Sequence, residues 1–230
     1  MLLSKDDCHL QINQLLENQT GLCIQSTNEQ QIVLGGEIFI SCKAKGFVLC
    51  DRYPVQIFIS LNSNQLPYVV DTGNRIARDY PHRYQDGRLC LETDITIRMH
   101  FCDGFSLDEW IKDYVEPYFF SYEFYQRFGE YPFGQRSHGI QGIIESYKDV
   151  LHGKDEVSTL SLMRSICKGS YRGHSPCPCG SSLRLRACHG PTIMKFYTDK
   201  ELNILVQNDY KGIENEIQRY YKQRDQKKAK

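Results

Sequence analysis

The spacing of apolar positions separates one helix from a run of strands in the first third of the chain. In SKDDCHLQINQLLE, residues 4–17, Cys8, Ile12, Leu15 and Leu16 fall on one stripe of a helical wheel, and Ser4 with Asp7 three residues later reads as an N-cap. Four β-type runs follow: GLCIQ, QQIVLGGEIFISCKA, GFVLC and VQIFISL, punctuated by Gly, Asn and Asp as an antiparallel meander requires. NQLPYVVDTG reads as a last strand, and Pro67, lacking an N–H for a ladder, places its start at an edge. Residues 72–105 keep no clear period, and a loop of that length inside a compact domain is usually functional.

Helical spacing returns in FSLDEWIKDYVEPYFF. Ser106 and Glu109 form a capping-box pair, and Leu107, Trp110, Ile111, Tyr114, Val115 and Tyr118 hold one face. Pro117 should kink or divide this helix, because its ring blocks the carbonyl four residues back. HGIQGIIESYKDVL predicts a further helix ending near Gly153, with His138 at its start in a packing or capping role. The text from Lys154 to Thr159 is polar, and residues 154–169 are assigned to a linker. The expected fold class is α+β: an N-terminal helix, an antiparallel β-meander and C-terminal helices over residues 1–153. A cysteine-rich unit follows at 170–192 and a basic helical tail at 193–230.

Composition narrows the function. With 230 residues, 40% of them hydrophobic, the chain can build one core plus an appendage. Lys+Arg and Asp+Glu are equal at 28 each, and no stripe of aromatic and basic residues is present, which disfavours nucleic acid as a partner. No apolar run reaches the length of a membrane span, and MLLSKDDCHLQ lacks a signal-peptide core, so a cytoplasmic location without a membrane partner is expected. Ten cysteines in a reducing compartment point to metal or catalysis for any that cluster. Cys23, Cys42 and Cys50 sit in strand-like text and read as small buried hydrophobes.

The sharpest local signal is PCPCGSSLRLRACHG. Cys177 and Cys179 are one residue apart, and Cys188 and His189 follow as an adjacent pair after eight intervening residues. Three thiolates and an imidazole suit tetrahedral Zn2+, and Gly180 permits the tight turn. Four protein ligands close such a site, so a structural metal is expected, and it would supply most of the folding energy of so small a unit. The spacing resembles the SEC-C zinc motif found at the C-terminus of the SecA translocation ATPase, with a Cys-His end in place of the usual Cys-Cys. That resemblance implies a structural, partner-binding role. Nearby His174 reads as a loop histidine, and Arg172, Arg184 and Arg186 as a solvated basic face. His100 and Cys102 form a further, incomplete metal-ligand pair.

The second signal is DYPHRYQDGRLCL, residues 79–91. Helix, meander, proline-bearing strand, cysteine loop and helices in that order resemble the ubiquitin-conjugating enzyme fold. Those enzymes carry a His-Pro-Asn triplet eight residues before the catalytic cysteine, a glycine three before it and a leucine after it. Tyr80-Pro81-His82 stands at the triplet, Gly87 at the glycine, Cys90 at the nucleophile and Leu91 after it, so of the triplet only the proline is kept. The wider text, from about Gly36 to Tyr147, is similar to the bacterial conjugating-enzyme-like proteins of antiphage cyclic-oligonucleotide (CBASS) systems. The resemblance implies that Cys90 forms a thioester with the C-terminus of a cGAS-like nucleotidyltransferase and transfers it to an acceptor, priming the cyclase. His82 would support the loop or the oxyanion, or act as base. Arg75, Arg78, Arg83 and Arg88 are candidates to ionise the thiol, and Asp86 reads as a turn residue. No Gly-rich ATP loop is visible, so activation is expected from a separate enzyme. The terminal Lys-Ala-Lys, in place of glycine, argues that the chain is not itself the modifier. Flanking Leu89 and Leu91 leave a buried core thiol as the competing reading of Cys90. A non-catalytic adaptor, docking the cyclase through the same fold and the zinc knuckle, is the alternative function.

Overall fold

A four-stranded antiparallel sheet occupies the first third of the chain. The computed structural model describes residues 5–61 and 63–228; Ser4, expected to cap the first helix, and the last two residues of the Lys-Ala-Lys end lie outside the described residues. In chain order the elements are α1 (Lys5–Asn18), β1 (Leu22–Thr27), β2 (Gln31–Ala44), β3 (Phe47–Ser60), β4 (Tyr68–Asp71), α2 (Asp94–His100), α3 (Leu107–Trp110) and a π-helical turn (Ile111–Val115). Then come α4 (Glu116–Phe128), α5 (Gly139–Leu151), α6 (Glu156–Cys167), a 3₁₀ turn (Leu185–Ala187), α7 (Gly190–Thr198) and α8 (Lys200–Lys228). They divide into two compact units: Met1–Glu92 with Asp103–Gln135, and Thr93–Cys102 with Arg136–Lys230.

The first unit is a meander. All neighbours are antiparallel in the order β1-β2-β3-β4, and β4 is the edge that Pro67 foretold. GFVLC and VQIFISL are one strand, β3, paired residue for residue with β2 from Ala44–Phe47 to Gln31–Ser60. A two-residue turn joins them, with Lys45 and Gly46 both at positive φ, as a type I′ hairpin turn demands. On β3, Leu49, Tyr53, Val55, Ile57 and Ile59 face inward. Period two therefore turns Cys50 outward; Cys23 is exposed as well and Cys42 half-buried, so these three are not the buried hydrophobes the sequence suggested. Tyr53 stacks on Phe119 at 4.3 Å and Phe47 meets Phe120 at 5.3 Å, which seats α4 on the sheet. Fully buried Tyr53, Phe119 and Phe120 each contribute about 1.5–3 kcal/mol.

Ser106 caps α3 as expected, accepting from the Glu109 N–H. Pro117 divides the helix without breaking it. A π turn precedes it, and the proline stands in the first turn of α4.

The second unit is helical and redraws the expected boundaries. Residues 154–169 are not a linker: they hold α6, whose Leu162, Met163 and Ile166 are fully buried. The polar text that suggested a linker is a capping box, Asp155 and Ser158 exchanging bonds across the first turn. Residues 193–230 are likewise more than a tail, since Ile193, Phe196, Leu202, Val206 and Ile213 join the same core as Ile144, Tyr147 and Leu151 of α5. The helix α5 therefore belongs with the C-terminal half, not with a domain ending at 153. Short α2 interrupts the expected 72–105 loop and enters this core through Ile95.

Candidate functional site

The cysteine loop begins where β4 ends. Asp71, 3% exposed, accepts the N–H groups of Gly73 and Ile76 and so folds the chain back at once. The Arg83 guanidinium donates to the Ile76 carbonyl at 2.8 Å, and the Tyr122 hydroxyl accepts the Ala77 N–H. Residues 82–90 then form a small hairpin. The Cys90 N–H donates to the His82 carbonyl at 2.8 Å, Arg83 bridges Leu89, and the Tyr84 N–H donates to the Arg88 carbonyl. Gly87, at φ +88°, closes the turn with its N–H on the Tyr84 carbonyl. The eight-residue step from His82 to Cys90 is thus a hairpin register. The hairpin lies along β4 through Val70–Arg88 and a Leu89 N–H to Val69 carbonyl bond. Leu89 is 3% exposed, and alternation leaves Cys90 half-buried beside it. The buried thiol position is taken by a leucine.

Tyrosines brace this hairpin. The Tyr118 hydroxyl donates to the same His82 carbonyl at 3.0 Å. Tyr80 packs edge-on against His82 at 5.5 Å and against Tyr122 at 4.9 Å, and Tyr131 stands edge-on to His82 at 5.6 Å. Burial pushes the Tyr80 and Tyr118 hydroxyls far above the ordinary phenol range, so both stay neutral donors. His82 is therefore held at both its carbonyl and its ring. Three of the four candidate ionising arginines have other partners: Arg75 pairs with Asp51 at 2.7 Å over the Tyr53 ring, Arg88 pairs with Asp86, and Arg83 donates to the Ile76 carbonyl. Asp86 accepts the Arg88 N–H as a turn residue should. The tyrosine brace escapes sequence inspection because Tyr80, Tyr118, Tyr122 and Tyr131 meet only through the fold; Tyr80 beside Pro81 was its one local trace.

No known protein family, curated protein or solved structure matches the chain. The residues themselves carry the functional reading.

The second site unites the four residues singled out by spacing. Ligand atoms of Cys177, Cys179, Cys188 and His189 all lie within 4.8 Å of one another and could hold a metal ion. A tetrahedral Zn2+ with its usual bond lengths sets sulfur–sulfur edges of about 3.8 Å and sulfur–nitrogen edges of about 3.6 Å. Cys179 and Cys188 Sγ are 3.7 Å apart, and His189 Nδ1 lies 3.2 Å from Cys177 Sγ and 3.1 Å from Cys188 Sγ. The donor set fits and the sulfur–sulfur edge matches, while the two sulfur–nitrogen edges are about 0.4–0.5 Å shorter than a bound ion would set. His189 Nε2 donates to the His152 carbonyl at 3.3 Å, which leaves the Nδ1 lone pair facing the sulfurs. That outer bond is what ligand histidines ordinarily make. Gly180, at φ +79°, turns the chain between the first and second pairs and donates to the Cys177 carbonyl.

Protonation of the thiols is set locally. Burial pushes Cys177 up. Burial acts the same way on Cys179, but hydrogen bonding to the Ser181 side chain, the Ser181 N–H that donates to the sulfur, and the neighbouring Cys177 and Cys188 outweigh it and bring that thiol down. Ser181 also approaches Cys188 Sγ at 3.4 Å. The site is not a free-standing knuckle: Cys177 is 4% exposed within the core formed by α5 to α8, and Leu185 of the 3₁₀ turn is buried beside it. The metal would therefore staple a core that already exists, where a separate unit at 170–192 would have needed it to fold at all. His174, Arg172, Arg184 and Arg186 are all exposed, and His100 stacks on Phe101 away from the four-ligand group.

No helix among the described residues is long and apolar enough to cross a membrane.

Proposed function

We propose that the protein is a ubiquitin-conjugating-like acyl transferase with Cys90 as nucleophile. The observation that carries this reading is the hairpin: a half-exposed thiol whose main chain is pinned to the His82 carbonyl, at the edge of a helix-and-meander unit. The Cys90 thiolate attacks an activated C-terminal acyl carbon, the donor's thiolate or phosphate group leaves, and a thioester forms. An acceptor amine then attacks that carbonyl, an amide forms, and the Cys90 thiolate leaves as the amine sheds its proton. His82 braces the loop. The acyl donor, by the resemblance described above, is the C-terminus of a cGAS-like nucleotidyltransferase activated by a separate enzyme, with the metal centre serving structure and docking.

An adaptor without catalysis is the second reading, and one feature favours it: Phe128 and Phe133 are 56% and 59% exposed in the first unit. Co-expression with the nucleotidyltransferase and its activating enzyme separates the two on non-reducing gels. A dithiothreitol-sensitive adduct that disappears in Cys90→Ala and becomes stable in Cys90→Ser supports the transferase. Absence of any adduct, with complex formation intact in Cys90→Ala, supports the adaptor.

A further inference from the structure

A second thiol in the chain is already in contact with an amine. Cys102 follows the end of α2, and Lys195 lies in the middle of α7; the Lys195 Nζ donates to Cys102 Sγ at 3.0 Å. Both ends of this contact are anchored. Ile193 and Phe196, on either side of Lys195, are wholly buried, and the Tyr197 hydroxyl ties α7 to the Ser165 carbonyl. Cys102 packs against the same core while remaining partly exposed, and Lys195 is exposed. The pair is therefore a fixed geometry open to solvent, outside both the Cys90 hairpin and the four-ligand cluster.

We propose that Cys102 and Lys195 form an acyl-accepting pair that takes acyl groups from thioesters of the coenzyme A class and fixes them on Lys195. In the first step the Cys102 thiolate attacks the thioester carbonyl; a new carbon–sulfur bond forms and the donor thiolate leaves. In the second step the neutral Lys195 amine attacks the same carbonyl. The carbon–nitrogen bond forms, the carbon–sulfur bond to Cys102 breaks, and the amine's proton passes to the Cys102 thiolate. No oxidant or further reactant is needed. An acyl carbon bonded to Cys102 Sγ stands about 3 Å from the amine, the near-attack range in which an intramolecular step outruns attack from solution. The inference is independent of the Cys90 reading, because its donor is a small thioester.

The test uses the full chain with acetyl coenzyme A as probe at mildly alkaline pH, with site occupancy followed by peptide mass spectrometry. Lys195 should be acetylated at least about tenfold faster than Lys148 and Lys211, exposed lysines of α5 and α8. Cys102→Ser and Cys102→Ala should bring Lys195 down to their rate, with unfolding midpoints unchanged. Lys195→Arg should accumulate a hydroxylamine-sensitive acetyl group on Cys102, which reports the first step alone. Cys90→Ala should leave Lys195 labelling as in the wild type. Lys195 labelling no faster than that of Lys148, or undiminished without Cys102, overturns the proposal. Loss of labelling in Cys90→Ala overturns it too, because the acyl group would then come through the Cys90 thioester.

Discussion

Tyr118→Phe isolates the hydrogen bond that holds the cysteine hairpin. The side chain is 6% exposed, and its hydroxyl donates to the His82 carbonyl at 3.0 Å. The same oxygen accepts the Cys90 N–H at 2.8 Å, so removing the phenol leaves no orphaned acceptor. The loss is then a net hydrogen bond, about 1 kcal/mol, rather than the larger penalty of an unsatisfied buried group. The ring remains, still edge-on to Tyr80 at 6.1 Å and Phe119 at 5.7 Å, so packing is kept. Tyr118→Ala removes the ring as well and should cost about 3–5 kcal/mol by analogy with other buried aromatic deletions. The chain has a single tryptophan, Trp110, wholly buried in the first unit, so its fluorescence reports that unit's unfolding in urea. A loss of 1 kcal/mol moves the midpoint down by roughly 0.3–1 M at ordinary slopes. If the bond presents Cys90 for attack, the adduct rate in Tyr118→Phe should fall about fivefold, the kinetic equivalent of the same energy. An unchanged midpoint with an unchanged adduct rate refutes the role. A Tyr118→Phe midpoint as low as that of Tyr118→Ala would show that the hydroxyl does more than hold this loop.

Three further outcomes are expected. Purified protein should carry about one zinc per chain, lost in Cys177→Ser with Cys179→Ser, and chelation should lower amide protection in α5 to α8 as measured by hydrogen exchange. Gly87→Ala should cost about 1 kcal/mol for a side chain at φ +88° and nothing for crowding, since its nearest neighbour would be Val70 Cγ1 at 3.8 Å; Trp110 fluorescence in urea reads it. Asp209→Asn should stabilise the second unit at pH 7 and have no effect at pH 3, read by circular dichroism in urea. Burial chiefly, with the Asp94 charge, raises the Asp209 carboxyl, while a hydrogen bond from Tyr147 lowers it. A folded value above the unfolded one penalises the folded state only once the group ionises, so the penalty is absent in acid and grows as pH rises through the folded value.

The sheet was legible because its signal is local: β-type runs and turn residues need no partner to be read. The four candidate metal ligands were legible for the same reason, since four donors within thirteen residues carry their geometry in their spacing. Elsewhere local text misled. DITIRMH lies in the stretch 72–105 expected to be a loop, yet Asp94 opens a short helix whose Ile95 the second core captures. KDEVST looked like a linker because a capping box is made of linker residues, and only the apolar stripe Leu162, Met163 and Ile166 beyond it tells the two apart. Contacts distant in sequence left almost no trace.

Those distant contacts are what give the local motifs their meaning. Cys90 in isolation is a thiol between two leucines. Its half-exposed setting comes from Leu89, which occupies the core in its place, and its fixed position from a carbonyl shared with a tyrosine 28 positions downstream of it. His189 in isolation is an imidazole with two tautomers. The His152 carbonyl, 37 positions away, selects the one that turns Nδ1 toward the three sulfurs. His152 itself sits at φ 55° at the end of α5, a conformation that costs a non-glycine residue about 1 kcal/mol. The residue that ends α5 in the left-handed conformation is thus also the one whose carbonyl accepts from His189.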